Sequence, residues 1–422
     1  MNKHINLYIK YSLTFFIVLL PAALISGPFL SDLFISLSSI IFIFYCLYFK
    51  DFKYFDNNFF KYFIIFYLLC LFSSLLSDYK LISSIKTFFY FRFGVFALAF
   101  YFALSINKNL IKYLFISLFL CFLILVLDGF FQYITGVNLI GFPKHSVRLS
   151  SFFGDEFIYG SYLSRLMPTL ISLFFLSNFS KKKDSIFLFW FLIIFTVLAI
   201  FLSAERAAFF LSILSFIYLI IMLNRFSKYF LLIFFIFSSF ILITVSQNNE
   251  IKLRMLDLTK TQLGLDKEKT TKISPIYKGH FLIAKDLFLS NKLIGVGPKN
   301  YRQHCSNNKK YSKPPYICTT HPHNTYIQLL AETGITGFLM IFFLFILLSF
   351  TSAKYIYFSL FKKKEILSLP KICLMSSMLI TLWPFVSTGS FFNNYINIIY
   401  FFPIGIFLWL NEKTKISHNL KT

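Results

Sequence analysis

The sequence predicts an all-α polytopic membrane protein of about 12 transmembrane helices, with a large periplasmic loop between helices 9 and 10. Two properties of the composition lead to this fold class: the mean hydropathy is +0.71, and 57% of the residues are hydrophobic while 14% are charged. A soluble globular domain is far more polar. In addition, the apolar residues form runs long enough to cross a hydrocarbon core of about 30 Å.

Twelve apolar runs predict the spans. The first follows Lys3 and Lys10 but has no small-residue cleavage site, and another span follows at once, so we interpret it as a retained helix and not as a signal peptide. The predicted spans are 11–27, 33–49, 62–77, 87–106, 112–132, 157–177, 185–203, 207–223, 229–246, 326–350, 371–388 and 395–410.

The placement of the charges predicts the orientation. The formal net charge of +24 is a property that nucleic-acid-binding proteins share, but here the cations lie between apolar runs, so we expect no nucleic-acid partner. With the N-terminus inside, most Lys and Arg of the short loops fall on the cytoplasmic side, as the positive-inside rule requires. The short outer loops carry Lys80, Lys86, Lys144, Arg148 and Arg206. We therefore predict cytoplasmic termini.

The chain divides into 1–246 with helices 1–9, a basic periplasmic loop over 247–322, and 323–422 with helices 10–12 and a short cytoplasmic tail. A long loop in a compact protein is usually functional or disordered. In this loop Ser274-Pro275 predicts a helix start, and apolar residues follow at helical spacing. We expect an amphipathic helix on the membrane or over a cavity. Its apolar residues and the turn that ends it are Ile276, Ile283, Ala284, Leu287 and Phe288, then Gly295, Gly297 and Pro298.

Ionisable residues inside spans are costly, so Arg92, Asp128 and Arg165 belong either to a functional site or to buried pairs with one another. Arg206 follows a minimal break between two apolar runs. It is either an interfacial anchor with Glu205 as its partner or a guanidinium that binds phosphate.

Two histidines, His321 and His323, stand at the outer mouth of the tenth span. The positive end of the helix dipole favours a neutral imidazole that can act as a base, and the free N–H groups there attract phosphate. The alternatives are ordinary polar loop residues or a zinc site with Cys305 and Cys318, which no ligand spacing supports. In an oxidising outer compartment these two cysteines more simply form a disulfide.

The segment from Thr320 to Gly337, with His323-Asn324 and Glu332-Thr333-Gly334, resembles the hallmark of the O-antigen ligase and Wzy-type polymerase superfamily. The predicted topology agrees over the whole chain. The resemblance implies a metal-independent, inverting glycosyltransferase without cofactors. Such an enzyme moves a glycan from an undecaprenyl-pyrophosphate carrier to lipid A-core in ligases, or to a carrier-linked glycan in polymerases.

The resemblance also implies site residues. The histidine before the motif asparagine is His323, and the arginine at the short outer turn is Arg206; these are the expected catalytic residues. Family members carry an arginine in the loop helix, where this chain offers Lys278 or His280 instead. The expected substrate-binding residues are Arg148, Lys278, His280, His321, Asn324 and Glu332.

We expect an O-antigen ligase in the bacterial inner membrane, with the polymerase as the alternative. Its partners would be the lipid-linked donor, the acceptor and membrane lipids. A lipid-linked glycan flippase or other transporter is an alternative from another class, but no internal repeat supports it. A sensor or scaffold would leave the His-Asn to Glu-Thr-Gly block unexplained.

Overall fold

The computed structural model of the chain describes residues 2–222, 248–262, 275–362 and 367–419, together with Leu232, Phe235 and Ser239. The described residues are mostly helical and contain no strand. The longer helices are α1 (Asn2–Ser26), α2 (Pro28–Phe49), α3 (Asn58–Leu75), α4 (Lys80–Phe88), α5 (Phe91–Ile106), α6 (Leu110–Thr135), α7 (Tyr159–Leu176), α8 (Lys183–Leu202), α9 (Arg206–Met222), α10 (Pro275–Ser290), α11 (Tyr301–Asn307), α12 (Thr325–Phe361), α13 (Leu369–Thr381) and α14 (Asn394–Asn419).

Within the described ranges, 8 helical segments are long and apolar enough to cross a membrane, and α9 and α13 are shorter apolar helices. The prediction of an all-α, multi-pass membrane protein is therefore confirmed. The predicted span 229–246 lies outside the described residues, so the number of twelve helices stays a prediction.

Two helices near the histidines end at other positions than the predicted spans. Helix α12 continues to Phe361 instead of ending near 350. Helix α13 ends at Thr381 and not at 388, and Pro384 follows, which disfavours helical conformation in the residue before it. The non-helical residues 382–393, which we call the return segment, run back across the end of the bundle and contact the start of α12. Hydropathy alone had assigned part of this segment to a span.

Helix α7 lies at the centre of the bundle, in contact with α6, α8, α9 and α13. It carries several polar residues, and they are buried against other helices. Thr169 lies 3.1 Å from Ser377, and the Ser377 hydroxyl donates to the backbone oxygen of Arg165 at 2.9 Å. Polar side chains in a span are stable when neighbouring helices supply their hydrogen bonds. The helix thereby carries Arg165 into the interior.

The three residues singled out from the sequence, Arg92, Asp128 and Arg165, do not pair with one another. Arg92 forms an ion pair with Asp32. Asp128 is fully buried and accepts the backbone N–H of Leu139 at 2.9 Å and the hydroxyl of Ser151. Asp128 thus shapes the loop between α6 and α7, which contains Arg148.

The loop helix predicted to begin at Ser274-Pro275 is present as α10; Ser274 itself lies outside the described residues. Its apolar face, with Ile283, Ala284 and Leu287, packs against Ala331 of α12. Gly295 and Gly297 adopt positive φ angles in the predicted turn. The predicted disulfide between Cys305 and Cys318 is formed, so these sulfurs are not available as zinc ligands. The helix covers the beginning of α12, and we call this end of the bundle the loop face.

Candidate functional site

The backbone of His323 is fixed from two sides. Asn324 caps α12, because its side-chain oxygen accepts the backbone N–H groups of Tyr326 and Ile327 at 3.0 and 3.1 Å. His323 has a φ of 55°, which is uncommon for a residue other than glycine. Its backbone oxygen accepts the N–H of Thr388, in the return segment, at 3.0 Å. Sterically unusual backbone of this kind clusters at functional sites.

Three imidazole rings converge at this point, and we call them the histidine cluster: His280, His321 and His323. The ring centroid of His323 lies 4.2 Å from that of His321 and 5.5 Å from that of His280. Because α10 supplies His280, the loop and the membrane bundle share the cluster.

The three rings differ in their hydrogen bonds. His321 Nε2 donates to the backbone oxygen of Thr388 at 3.2 Å, and its Nδ1 lies 2.9 Å from the Thr320 hydroxyl. His280 Nδ1 donates to the backbone oxygen of Ile317 at 2.8 Å. The ring of His323 forms no hydrogen bond with the part of the chain that the structure describes. His323 therefore keeps its ring nitrogens available.

The surroundings of His323 and His321 favour neutral rings. Burial, together with the neighbouring His280, lowers the pKa of His323 from its ordinary value of 6.5. Burial and then the adjacent His323 lower the pKa of His321 to about 4. Both causes disfavour the charged form. At neutral pH His323 is thus unprotonated and able to accept a proton.

Four arginines from distant parts of the sequence surround Glu205, and we call them the arginine cluster: Arg148, Arg165, Arg206 and Arg254. Arg148 interacts electrostatically with Glu205, Arg254 and Arg206. Arg254 also hydrogen-bonds through Nε to the backbone oxygen of Ala204 at 3.1 Å. Such a concentration of like charges is unfavourable unless anions balance it.

Glu205 alone does not balance four cations. Glu205 as a whole is 8% exposed, and its carboxyl accepts the backbone N–H groups of Gly160 and Ser161, at the start of α7, at 2.6 and 3.2 Å. Burial raises its pKa to about 7, against the opposing effects of Gly160 and Arg148. The interpretation of Arg206 as an anchor with Glu205 as its partner therefore finds no support, since the carboxyl is bonded to α7.

Three of the guanidinium groups have a buried nitrogen without a hydrogen-bond partner among the described residues: Arg148 Nε, Arg165 Nη1 and Arg206 Nη1. Arg148 is also held by packing, with its Cζ 3.8 Å from the ring centroid of Phe157. A buried donor without an acceptor costs free energy. The arginine cluster is therefore suited to bind an anion with several oxygen atoms.

Polar groups link the two clusters through the interior. The guanidinium of Arg165 lies within electrostatic range of Tyr395 and Tyr400. The Tyr400 hydroxyl is 3.4 Å from the Thr325 hydroxyl, which is 3.0 Å from that of Thr388. Thr388 in turn bonds to both His321 and His323. A series of buried polar contacts thus connects the histidine cluster with the arginine cluster.

The structure separates the predicted site residues into groups. His280 joins the histidine cluster, whereas Lys278 is exposed on α10 and forms no hydrogen bond or ion pair with described residues. Asn324 uses its side chain as a helix cap, and its amide donates to the backbone oxygen of Pro384 at 2.8 Å. Glu332 is 1% exposed and bonds to loop residues. The substrate contacts predicted for these residues stay predictions.

Sequence reasoning did not assign Arg254 to the site and left Arg165 open. Arg254 is one of many cations in a basic loop, so nothing local in the sequence distinguished it. Arg165 had a signal, because an arginine inside a span is rare.

A comparison with protein families bears on this geometry. Residues 191–342 match the model of the family described as O-Antigen ligase. This match, over about a third of the chain, supports a relationship to the O-antigen ligase superfamily. No curated protein matches the sequence. The family match includes Arg206, Arg254, His280 and His323, and it supports a glycosyltransferase-like enzyme of the O-antigen ligase or polymerase type that acts on lipid-linked glycans.

Proposed function

We propose that the chain is an O-antigen ligase that transfers a glycan from undecaprenyl pyrophosphate to lipid A-core, on the periplasmic side of the bacterial inner membrane. The observation that carries this proposal is the set of buried guanidinium nitrogens without partners in the arginine cluster. Buried polar contacts connect these arginines with His323, whose imidazole is neutral at physiological pH, and we propose that both belong to one active site. The guanidinium nitrogens are suited to bind a lipid diphosphate, and the neutral imidazole is suited to accept the proton of a hydroxyl acceptor.

The arginine cluster binds the diphosphate of the donor. Guanidinium groups bond to phosphate oxygens in a planar, bidentate fashion. Negative charge grows on the diphosphate as the glycosidic bond breaks, so fixed positive charges stabilise the transition state more than the bound donor. The arginines supply the charge that a divalent cation provides at other diphosphate sites. We therefore propose a transfer that needs neither a metal nor a cofactor.

His323 acts as the general base. The acceptor hydroxyl gives its proton to a ring nitrogen of His323, and the oxygen attacks the anomeric carbon of the glycan. The bond from that carbon to the carrier phosphate breaks, and undecaprenyl pyrophosphate leaves with the electron pair. A single displacement inverts the anomeric configuration. A positioned general base typically contributes about 10²–10⁴ in rate.

An apolar groove of about 990 Å³ between α3, α12, α13 and α14 fits the prenyl chain of the donor. One end reaches Tyr400, which lies by Arg165 of the arginine cluster. At the other end Lys53 pairs with Asp51 at 3.0 Å and Lys61 with Asp56 at 2.7 Å. The carboxylates of Asp56 and Glu412 also line this end and repel a phosphate headgroup, so the distal end favours a hydrocarbon tail. The prenyl chain of the donor would enter the groove at the end near Tyr400.

The experiment that tests the function is gel profiling of lipopolysaccharide from a strain without this gene, complemented with wild type or with His323→Ala. We expect only wild type to restore long glycan on lipid A-core, while the other strains accumulate polymer on the carrier. Lipid A-core that carries only one glycan repeat unit would indicate a Wzy-type polymerase instead. An unchanged profile would contradict both functions.

A further inference from the structure

We infer that Glu332 and Tyr301 form a bracket that sets the position of His280 beside His323. The inference rests on the proposed function and adds two positioning residues to the site. In it Glu332 acts through Tyr301, whereas the sequence predicted a substrate contact for Glu332.

Two successive hydrogen bonds lead from α12 to the histidine cluster. Glu332 Oε1 accepts the backbone N–H of Tyr301 at 3.1 Å, and its Oε2 accepts the amide of Gln328 at 2.9 Å. The Tyr301 hydroxyl donates to the backbone oxygen of His280 at 3.0 Å. Both Glu332 and Tyr301 are buried. The carbonyl that Tyr301 holds thus belongs to the residue whose ring faces His323.

The bracket starts from a break in α12. Gly334 adopts a φ of 64°, which interrupts the helix and frees backbone groups that need other partners. The carbonyls of Ala331 and Glu332 accept the N–H groups of Val296 and Gly297 at 3.0 and 2.9 Å. The loop therefore replaces the missing helical hydrogen bonds, and this joins it to α12 right beside the Glu332 carboxyl.

The chemistry of the bracket indicates that it positions His280 and does not only attach the loop to α12. An apolar contact would hold the loop down without the cost of burying a carboxyl group, which is high unless hydrogen bonds compensate for it. Here the hydrogen bonds of Glu332 specify where Tyr301 lies, and the hydroxyl of Tyr301 specifies where α10 lies. Besides burial, the neighbouring His280 lowers the pKa of His323. The position of His280 therefore affects the protonation state of the proposed base.

The first test is hydrogen–deuterium exchange of the full-length protein in nanodiscs. Tyr301→Phe removes one hydroxyl and keeps the ring, so we expect faster exchange in the backbone amides of α10. Tyr311→Phe is the matched control, because Tyr311 is buried in the same part of the loop and its hydroxyl forms no hydrogen bond with described residues. Unchanged exchange in Tyr301→Phe would overturn the bracket. This readout does not require glycan transfer. If the wild-type protein transferred no glycan, that result would overturn only the proposed function and not the bracket.

The second test is a double-mutant cycle on kcat for glycan transfer. One lost hydrogen bond corresponds to a decrease of about fivefold to tenfold, which we expect for Tyr301→Phe in the wild-type background. If Tyr301 acts through His280, the decrease should vanish in the His280→Asn background. Equal decreases in both backgrounds would overturn the inference. Glu332→Gln provides a second variant, and it should show the same dependence on His280.

Discussion

The rings of His321 and His323 lie with centroids 4.2 Å apart, yet only His321 is held by hydrogen bonds through both ring nitrogens. The structure thereby distinguishes two adjacent histidines that the sequence presents alike. His321 is fixed against the return segment, and His323 has its ring nitrogens available. The proposal that His323 is the base rests on this difference.

His323→Ala should lower the rate of glycan transfer by about 10²–10⁴-fold, because the general base is lost. His321→Ala should have a smaller effect, since its nitrogens bond to the protein. The measurement is transfer from undecaprenyl-pyrophosphate-linked glycan to lipid A-core in isolated membranes, normalised to the amount of protein. His304→Ala, which changes another histidine of the long loop, is the control. A wild-type rate in His323→Ala would refute the assignment.

The pH dependence of kcat/KM should reflect the lowered pKa of His323. Because the neutral ring is the active form, activity is lost as the pH falls through that pKa. We expect a plateau through neutral pH and an acid limb below the ordinary histidine value of about 6.5. His280→Asn removes one cause of the lowering, so its acid limb should move to higher pH. If the midpoint of the acid limb of the wild-type enzyme lay above about pH 6.5, that result would contradict this expectation.

Removal of any member of the arginine cluster should strongly impair transfer. We expect Arg206→Ala and Arg148→Ala to lower kcat by about 10²–10³-fold, as the loss of a transition-state donor does. Arg165→Ala and Arg254→Ala should behave similarly. Lysine at position 206 should not restore activity, because an ammonium is a point charge without a planar fork. Arg302→Ala, at an exposed loop position, is the control. Full activity of Arg206→Lys would show that charge alone suffices.

Gly334→Ala should destabilise the loop by more than about 1 kcal/mol, since the position has positive φ. An added Cβ would also collide with the backbone of Leu293. Thermal unfolding in detergent, monitored by accessibility of loop residues to protease, measures the effect. Gly389→Ala is the matched control, because an added Cβ at that position would meet no atom within 4 Å. Equal stability of the two variants would argue against the helix break.

A photo-crosslinking residue in place of Leu344, which lines the apolar groove, should capture the prenyl chain of the donor. The same residue in place of Phe350, which is exposed and outside the groove, should capture bulk phospholipid. Mass spectrometry of the crosslinked products identifies the lipid. Capture of phospholipid alone at position 344 would contradict the assignment of the groove.

Some elements were predictable because their signals are local. Hydropathy over about twenty residues locates most spans, and a Ser-Pro pair followed by helical spacing located α10. The predicted span over 371–388 was too long because the return segment is apolar without being helical. Its Thr388 contacts both site histidines, and no local pattern indicates such a role. The disulfide between Cys305 and Cys318 was predictable from compartment and proximity in sequence.

The fold class, the multi-pass character and the candidacy of His323 and Arg206 thus follow from composition, hydropathy and one motif. The convergence of Arg148, Arg165 and Arg254 on Glu205 does not. These residues lie on the α6–α7 loop, on α7 and in the long loop, so they meet only when both loops pack against the helices. The same holds for His280 and Tyr301, whose roles depend on how the long loop docks on α12. Local physics specifies helices and charges, whereas relative positions of side chains arise from packing between distant segments.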